Sequence, residues 1–320
     1  MARTPGDRAG ATPDRPGEPT GIAVVGSANL DIVVPVERHP GLGETVLGGD
    51  HYRATGGKGA NQAVACARLG APTRFIGCVG DDEVGATLTD ALAADGIDLT
   101  HLARLTGVPS GLALIVVAPD GENTIVVSPG ANARLSAAHV QASSLASAAA
   151  VLLQLEVPMP TVTAAVAAAT GLVIVNPAPA AALPAAVSAR ADVLVPNRGE
   201  LAVLAGASRE PGGDDEVVDL VRMLATDASV VVTLGRDGAL VVDGGEVTPV
   251  AARPVEAVDA TAAGDSFCGA LTVALTEGAA LVAAARWAAA AAAVTVTRRG
   301  AQPSLPRRDE LEPWEPAEGP

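Results

Sequence analysis

Short, unbroken runs of β-branched and other apolar residues recur along this chain, and alanine-rich stretches with helical periodicity lie between them. The runs include 22–25 (IAVV), 73–79 (TRFIGCV), 172–175 (LVIV), 192–195 (DVLV) and 229–234 (SVVVTL). Helices are predicted over roughly 59–69, 83–95, 161–170, 215–227, 264–276 and 279–293. A strand that is apolar on both faces has to be covered on both faces, so the alternation predicts a mostly parallel sheet between two helical layers, an α/β fold. Aromatic residues make up only 2% of the chain. That suits such layers, because alanine lets helices pack close to a sheet. With 320 residues the chain can form one large α/β body or two domains, and it buries a core without staples.

Two stretches break the rhythm. Residues 31–55 and 109–128 hold extended pieces with turn chemistry and no helical period, the second with Asp120-Gly121 between two apolar runs, a hairpin signal. Both are expected in a small accessory sheet, either a lid over a ligand site or an ordinary structural flap. The most apolar stretch, 279–297, carries Arg286 in its middle and is expected as a buried helix running into a strand, not a membrane span. Residues 1–20 lack an apolar core and are expected as a disordered tail, not a signal peptide.

Composition excludes several function classes. A net charge of −15 opposes nucleic-acid binding, and five aromatics (Tyr52, Phe75, Phe267, Trp287, Trp314) are too few for a base-stacking platform. Cys66, Cys78 and Cys268 are scattered singly in apolar segments, as expected of small buried thiols in a cytoplasmic protein. His39, His51, His101 and His139 have no zinc-site spacing. There is no strand–G-x-G-x-x-G–helix unit, and Gly57-Lys58-Gly59 lacks the Ser or Thr of a P-loop.

Five segments carry chemistry. In V-D-A-T-A-A-G-D-S-F-C-G-A, 258–270, Ala262, Ala263 and Gly264 precede an apolar helix, so their N–H groups can converge on an anion. Asp265 there is either a plain N-cap or a general base beside an anion nest, the pairing that phosphoryl transfer to a hydroxyl requires. Asp259 and Thr261 just upstream offer oxygens for a cation or for bracing the loop. In G-G-K-G-A-N-Q-A, 56–63, Gly56 and Gly57 allow close backbone approach, and Asn61 falls in the first turn of a helix. Asn29 and Asp31, at the carboxyl end of the first strand, suit vicinal sugar hydroxyls or a turn. In V-P-N-R-G-E, 195–200, Asn197 and Glu200 could hold hydrated Mg²⁺ or form a capping box. The last, T-L-G-R-D-G (233–238), is a strand end and glycine turn holding Thr233, Gly235 and Gly238.

Together and in this order, the segments resemble the ribokinase branch of the PfkB carbohydrate kinases over about residues 21–308. G-G-K-G-A-N-Q-A and D-A-T-A-A-G-D match the two family signatures. N-L-D (29–31), P-G-A-N-A (129–133), Q-L-E-V-P (154–158), N-P-A-P-A (176–180) and R-R-G-A-Q-P-S (298–304) add to the match. The resemblance implies a three-layer αβα sandwich with a central mostly parallel sheet and a small β-sheet that is both lid (about 31–55 and 109–128) and homodimer interface, leaving 309–320 as a C-terminal tail. It implies phosphorylation of D-ribose at its C5 hydroxyl by ATP, with Mg²⁺ and activation by K⁺; deoxyribose, another sugar or a nucleoside is the alternative substrate, and a sugar-binding protein without turnover the alternative class. By the same resemblance, Asn29, Asp31, Gly56, Gly57, Asn61 and Glu156 hold the sugar. Asp265 is the base, and the amides of Ala262, Ala263 and Gly264 form the anion hole. Asn197 and Glu200 mark the Mg–phosphate region, with Thr233, Gly235 and Gly238 near the nucleotide. Asp259, Thr261, Ser304 and carbonyls around Thr295, Arg298 and Gly300 are the counterparts of a potassium site. Lys58 has no assigned role. One departure is the unbroken alanine run around Ala289, where related enzymes often carry an Asn beside the adenine pocket.

Overall fold

The computed structural model describes residues 20–119 and 121–314; the expected tail at 1–19, Asp120 and residues 315–320 lie outside it. The chain opens with β1 (Ile22–Val25), β2 (Asn29–Pro35) and β3 (Tyr52–Gly56), then α1 (Lys58–Arg68), β4 (Thr73–Gly80), α2 (Glu83–Ala94) and β5 (Leu102–Leu105). There follow β6 (Gly111–Val117), β7 (Asn123–Ser128), α3 (Ala137–Gln141), β8 (Ala150–Leu153), α4 (Met159–Ala168), β9 (Leu172–Val175), α5 (Ala185–Arg190) and β10 (Val193–Leu194). The last third holds α6 (Arg198–Leu204), α7 (Asp214–Met223), β11 (Ser229–Thr233), β12 (Ala239–Asp243), β13 (Glu246–Val250), α8 (Ala263–Thr276) and α9 (Leu281–Val296).

The large sheet runs β13-β12-β11-β10-β9-β8-β1-β4-β5, parallel from β11 to β5. In β1, Ile22 and Val24 enter one core, with residues of α1, α2, α8 and α9; Ala23 and Val25 enter the other, with residues of α4, α5, α6 and α7. Two cores on one strand are why the run at 22–25 contains no polar residue. The edge β12–β13 is an antiparallel hairpin, turned at Gly244-Gly245 with φ of 55° and 91°.

The small sheet has the order β3-β2-β6-β7, with β2–β6 parallel and the other pairs antiparallel. Asn29 and Asp31 therefore do not end the first strand of the main sheet, as expected from the sequence. They open β2, an inner strand of the small sheet, because the chain leaves β1 at Val25 and starts a new strand three residues after Gly26. A Thr55 hydroxyl bond to Gln302 ties this sheet to the body.

Two further differences have local causes. Helix α9 continues through Val296 and no strand follows: the Thr295 hydroxyl donates to the Ala291 carbonyl (3.0 Å) and to Ser266 of α8 (2.8 Å), so the β-branched end stays helical against its neighbour. The expected C-terminal tail is packed as far as Trp314. Its indole donates to Glu277, which also pairs with Arg308, and the Arg308 guanidinium lies 5.0 Å over the Trp287 ring. Finally, no helix among the described residues is long and apolar enough to cross a membrane.

Candidate active site

The site forms where β2, the start of α1, the loop after β8 and the start of α8 meet. Gly57 caps α1 with a φ of 87°, and a Cβ there would lie 2.8 Å from the Asn29 nitrogen. A Cβ on Gly56 would lie 2.2 Å from an Asp31 carboxylate oxygen. Both glycines thus let α1 begin directly against the sugar-side residues predicted on β2. Asn29 accepts a bond from Asn132 (2.8 Å), and the same Asn132 side chain pairs with both backbone groups of Ala28 (3.0 and 3.1 Å). Glu156 accepts from the Ser27 hydroxyl (2.5 Å) and from the Lys58 backbone N–H (3.0 Å).

Asp265 is not the N-cap of α8. The cap residue is Ala262, in the left-handed region at φ 61°, and the helix starts at Ala263, which puts Asp265 inside the first turn. Its carboxylate turns toward α1, accepting from Asn61 Nδ2 on Oδ2 (2.9 Å) and from Gln62 Nε2 on Oδ1 (3.0 Å), and it is only 6% exposed. At the helix start, the Ser266 N–H closes the first turn on the Ala262 carbonyl (2.8 Å), and that of Ala263 turns to the Ala260 carbonyl (3.2 Å). The N–H groups of Gly264 and Asp265 have no acceptor among the described residues, and a Cβ on Gly264 would meet open space. This is a helix end ready for an anion.

The electrostatics are those of a crowded acid cluster around one cation. Burial pushes the Asp31 carboxyl up to about 7, helped by Glu156 and Asp265. Burial likewise raises Asp265, against Lys58 and its two amide donors. Burial also raises Glu200, which is coupled through space to Lys58 and Asp265. For Lys58 burial works the other way, but Asp265, Glu156 and Glu200 outweigh it and keep the ammonium charged.

The remaining segments flank this centre. Asn197 and Glu200 form a complete capping box, each side chain accepting the other's backbone N–H at 2.8 Å. The Glu200 carboxyl nonetheless feels the charges of Lys58 and Asp265. Asn197 bridges to Thr233, and Gly235 and Gly238 (φ 62° and 95°) make the turn that follows. On the far side of the α8 start, Asp259 accepts from the backbones of Thr261 (2.9 Å) and Gly300 (2.8 Å). Burial raises its carboxyl, but these bonds and the charge of Arg299 bring it below the ordinary range. Nearby Ser304 is fully buried, donating to the Ala301 carbonyl (2.7 Å). Thr295 gives its hydroxyl to the α8–α9 contact, Arg298 pairs with Glu310, and Gly300 takes a φ of 84°.

A sequence profile of the pfkB family carbohydrate kinases matches residues 19–308. The chain belongs to this family. Among relatives of this carbohydrate kinase, the ribokinase of Haemophilus influenzae is 40% identical over 90% of this chain and 96% of its own length. The crystal structure of a Thermotoga maritima ribokinase superposes with a TM-score of 0.83 at 37% identity, covering 91% of this chain and 97% of that one. An Arabidopsis thaliana ribokinase complexed with ribose and ATP does so with a TM-score of 0.79 at 32% identity, covering 91% and 96%.

Sequence reasoning missed several residues that build the carbohydrate kinase site: Ser27, Gln62, Asn132, Gln154 and Asn176, and it left Lys58 without a role. A lysine in a glycine turn facing a predicted base was a usable signal. The buried amides gave none, since their partners lie about a hundred residues or more away in sequence.

Proposed function

We propose that this kinase is a ribokinase, transferring the γ-phosphoryl group of ATP to the C5 hydroxyl of D-ribose to give D-ribose 5-phosphate and ADP. The observation that carries this is a buried carboxylate, Asp265, clamped by two side-chain amides at the open N-terminus of α8. The Asp265 carboxylate accepts the hydroxyl proton as that oxygen attacks phosphorus in line, and ADP leaves. The Ala262, Ala263 and Gly264 amides stabilise charge on the transferring group, the Ala263 N–H giving up the Ala260 carbonyl to do so. Asn29, Asp31, Gly56, Gly57, Asn61 and Glu156 hold the sugar hydroxyls, Lys58 balances the acids around them, and Asn197, Glu200, Thr233, Gly235 and Gly238 border the nucleotide.

The residues fit both metal ions of this reading. No group of three or more His, Cys, Asp or Glu able to hold a metal ion occurs among the described residues. Mg²⁺ is commonly held by one or two carboxylates, substrate phosphates and water, and Glu200 and Asn197 would be the protein's share here. At Asp259, a half-buried carboxylate is held ionised by Thr261, the Gly300 N–H and the charge of Arg299; with it, Thr261, Ser304 and the carbonyls of Thr295, Arg298 and Gly300 would supply the oxygen donors. This suits K⁺. When bound, the two cations supply positive charge beside the phosphates that a chain of net −15 lacks.

The small sheet would serve as lid and homodimer interface, since Leu114, Ile125, Val126 and Val127 stand exposed on β6 and β7. A monomer in sedimentation would contradict that part. The function is tested by ADP release with ribose, deoxyribose, other pentoses and nucleosides, with and without K⁺. The highest kcat/KM is expected with ribose in K⁺. A nucleoside preference would overturn the substrate, and sugar binding without any ADP release would make the chain a binding protein.

A further inference from the structure

Beyond the residues placed around the substrates, the site rests on a buried chain of amides. Gln62, Gln154 and Asn176 are 0%, 0% and 8% exposed. They lie in three segments that carry the family resemblance, G-G-K-G-A-N-Q-A, Q-L-E-V-P and N-P-A-P-A, yet no role in binding falls to them. The Gln62 amide nitrogen donates to Asp265 Oδ1 (3.0 Å) and to Asn176 Oδ1 (3.2 Å), while its oxygen accepts from Gln154 Nε2 (2.5 Å). Asn176 Nδ2 in turn donates to the Val195 carbonyl (2.8 Å).

Only one sense of these bonds is consistent. A backbone carbonyl cannot donate, so Val195 requires the NH₂ of Asn176 to face it and the oxygen of Asn176 to face Gln62. Gln62 must then present its NH₂ to Asn176, and to Asp265 as well, leaving its oxygen for Gln154. Gln154 donates there even though its own oxygen, Oε1, is left buried without a partner among the described residues. A Cβ on Gly26 would lie 2.1 Å from that oxygen, so the glycine makes room for it. An unpartnered buried acceptor is costly, and it is carried at the end of a chain whose other end is the Asp265 carboxylate.

We propose that Gln62 is a positioning residue for Asp265: anchored through Asn176 to the backbone at Val195 and braced by Gln154, its amide fixes the rotation of the carboxylate that receives the sugar's proton. A carboxyl group turns broadly about its last torsion, so a base at the end of a side chain needs such a hold to stay aimed. The anchor at Val195 lies two residues before Asn197. One relay therefore joins the base to the strand end that leads into the nucleotide side.

The inference rests on Asp265 being the base, and the test separates the two. Gln62→Met and Gln154→Met are made in the full chain. Their kcat and KM for ribose, ribose affinity by calorimetry and the pH dependence of kcat are then measured beside Asp265→Asn. Besides its two amide donors, Asp265 faces Lys58 of α1, Asp31 of β2, Glu156 after β8, Glu200 of α6 and Cys268 on its own helix. All of these remain in both variants. Gln62→Met is expected to lower kcat by about 10- to 100-fold with ribose KM and affinity within about threefold. The acid limb of its pH profile is expected to move up, because a donor that favours the ionised carboxylate is gone. Gln154→Met keeps the Gln62–Asp265 bond but loses the brace, so a smaller change of the same pattern is expected. If Gln62→Met does not fold, Gln154→Met decides. Wild-type kcat and pH profile in the folded variant, or equal losses of turnover and of binding with an unmoved profile, would overturn the inference while Asp265→Asn stays inactive. Turnover in Asp265→Asn would instead overturn the assignment of the base.

Discussion

Asp31 shows how the site trades stability for binding. Buried beside Glu156 and Asp265, its carboxyl is pushed up to about 7 from an ordinary 3.8. The folded state then holds a proton that the unfolded state releases between those values. The stability contributed by Asp31 is full below about pH 4 and is lost as pH rises through about 7. Asp31→Asn, which stays neutral, is therefore expected to raise the Tm of the ligand-free enzyme at pH 8. The gain fades toward pH 5, while KM for ribose rises about tenfold or more for want of a charged acceptor. The same Tm difference at both pH values would contradict this. The sequence places Asp31 among sugar ligands, but its proton affinity was not legible there, because Glu156 and Asp265 come to it from distant parts of the chain.

Among the elements, the contact of α1 with α8 brings Asn61 and Gln62 to Asp265, the proposed base. Gly269 keeps that contact close: a Cβ there would lie 2.5 Å from the Ala65 Cβ and 3.3 Å from the Cys66 nitrogen, and the Cys66 thiol already reaches the Gly269 carbonyl at 3.7 Å. Gly269→Ala is expected to cost about 1–3 kcal/mol and to lower kcat by parting the helices. Denaturant midpoint and kcat measured together check this, and a variant as stable and active as wild type would contradict it. The strands around β1 were legible because two buried faces leave a strong pattern. The β12–β13 hairpin was not anticipated, although Gly244-Gly245 marks its turn, because its strands lie at the end of the sheet and show no clean alternation. The start of α8 was legible to within one residue, but an alanine with left-handed φ leaves no mark in composition, so a cap at Asp265 stayed open as the alternative to a base.

At the scale of the whole molecule, the bulk charge and the site have different tasks. A net charge of −15 repels a triphosphate, so the proposed function requires phosphate recognition to be local, through the open amides at the start of α8, the glycine turn after β11 and the cations proposed above. The large sheet carries these parts at one end of its strands, and the small sheet stands beside them with Asn29 and Asp31 on it. The central claim is that Asp265 takes the proton in phosphoryl transfer. It is tested most directly by Asp265→Asn, following ADP release and ribose binding in the same preparation. The account predicts that turnover falls by about a thousandfold or more while ribose still binds; near-normal turnover with intact binding would contradict it.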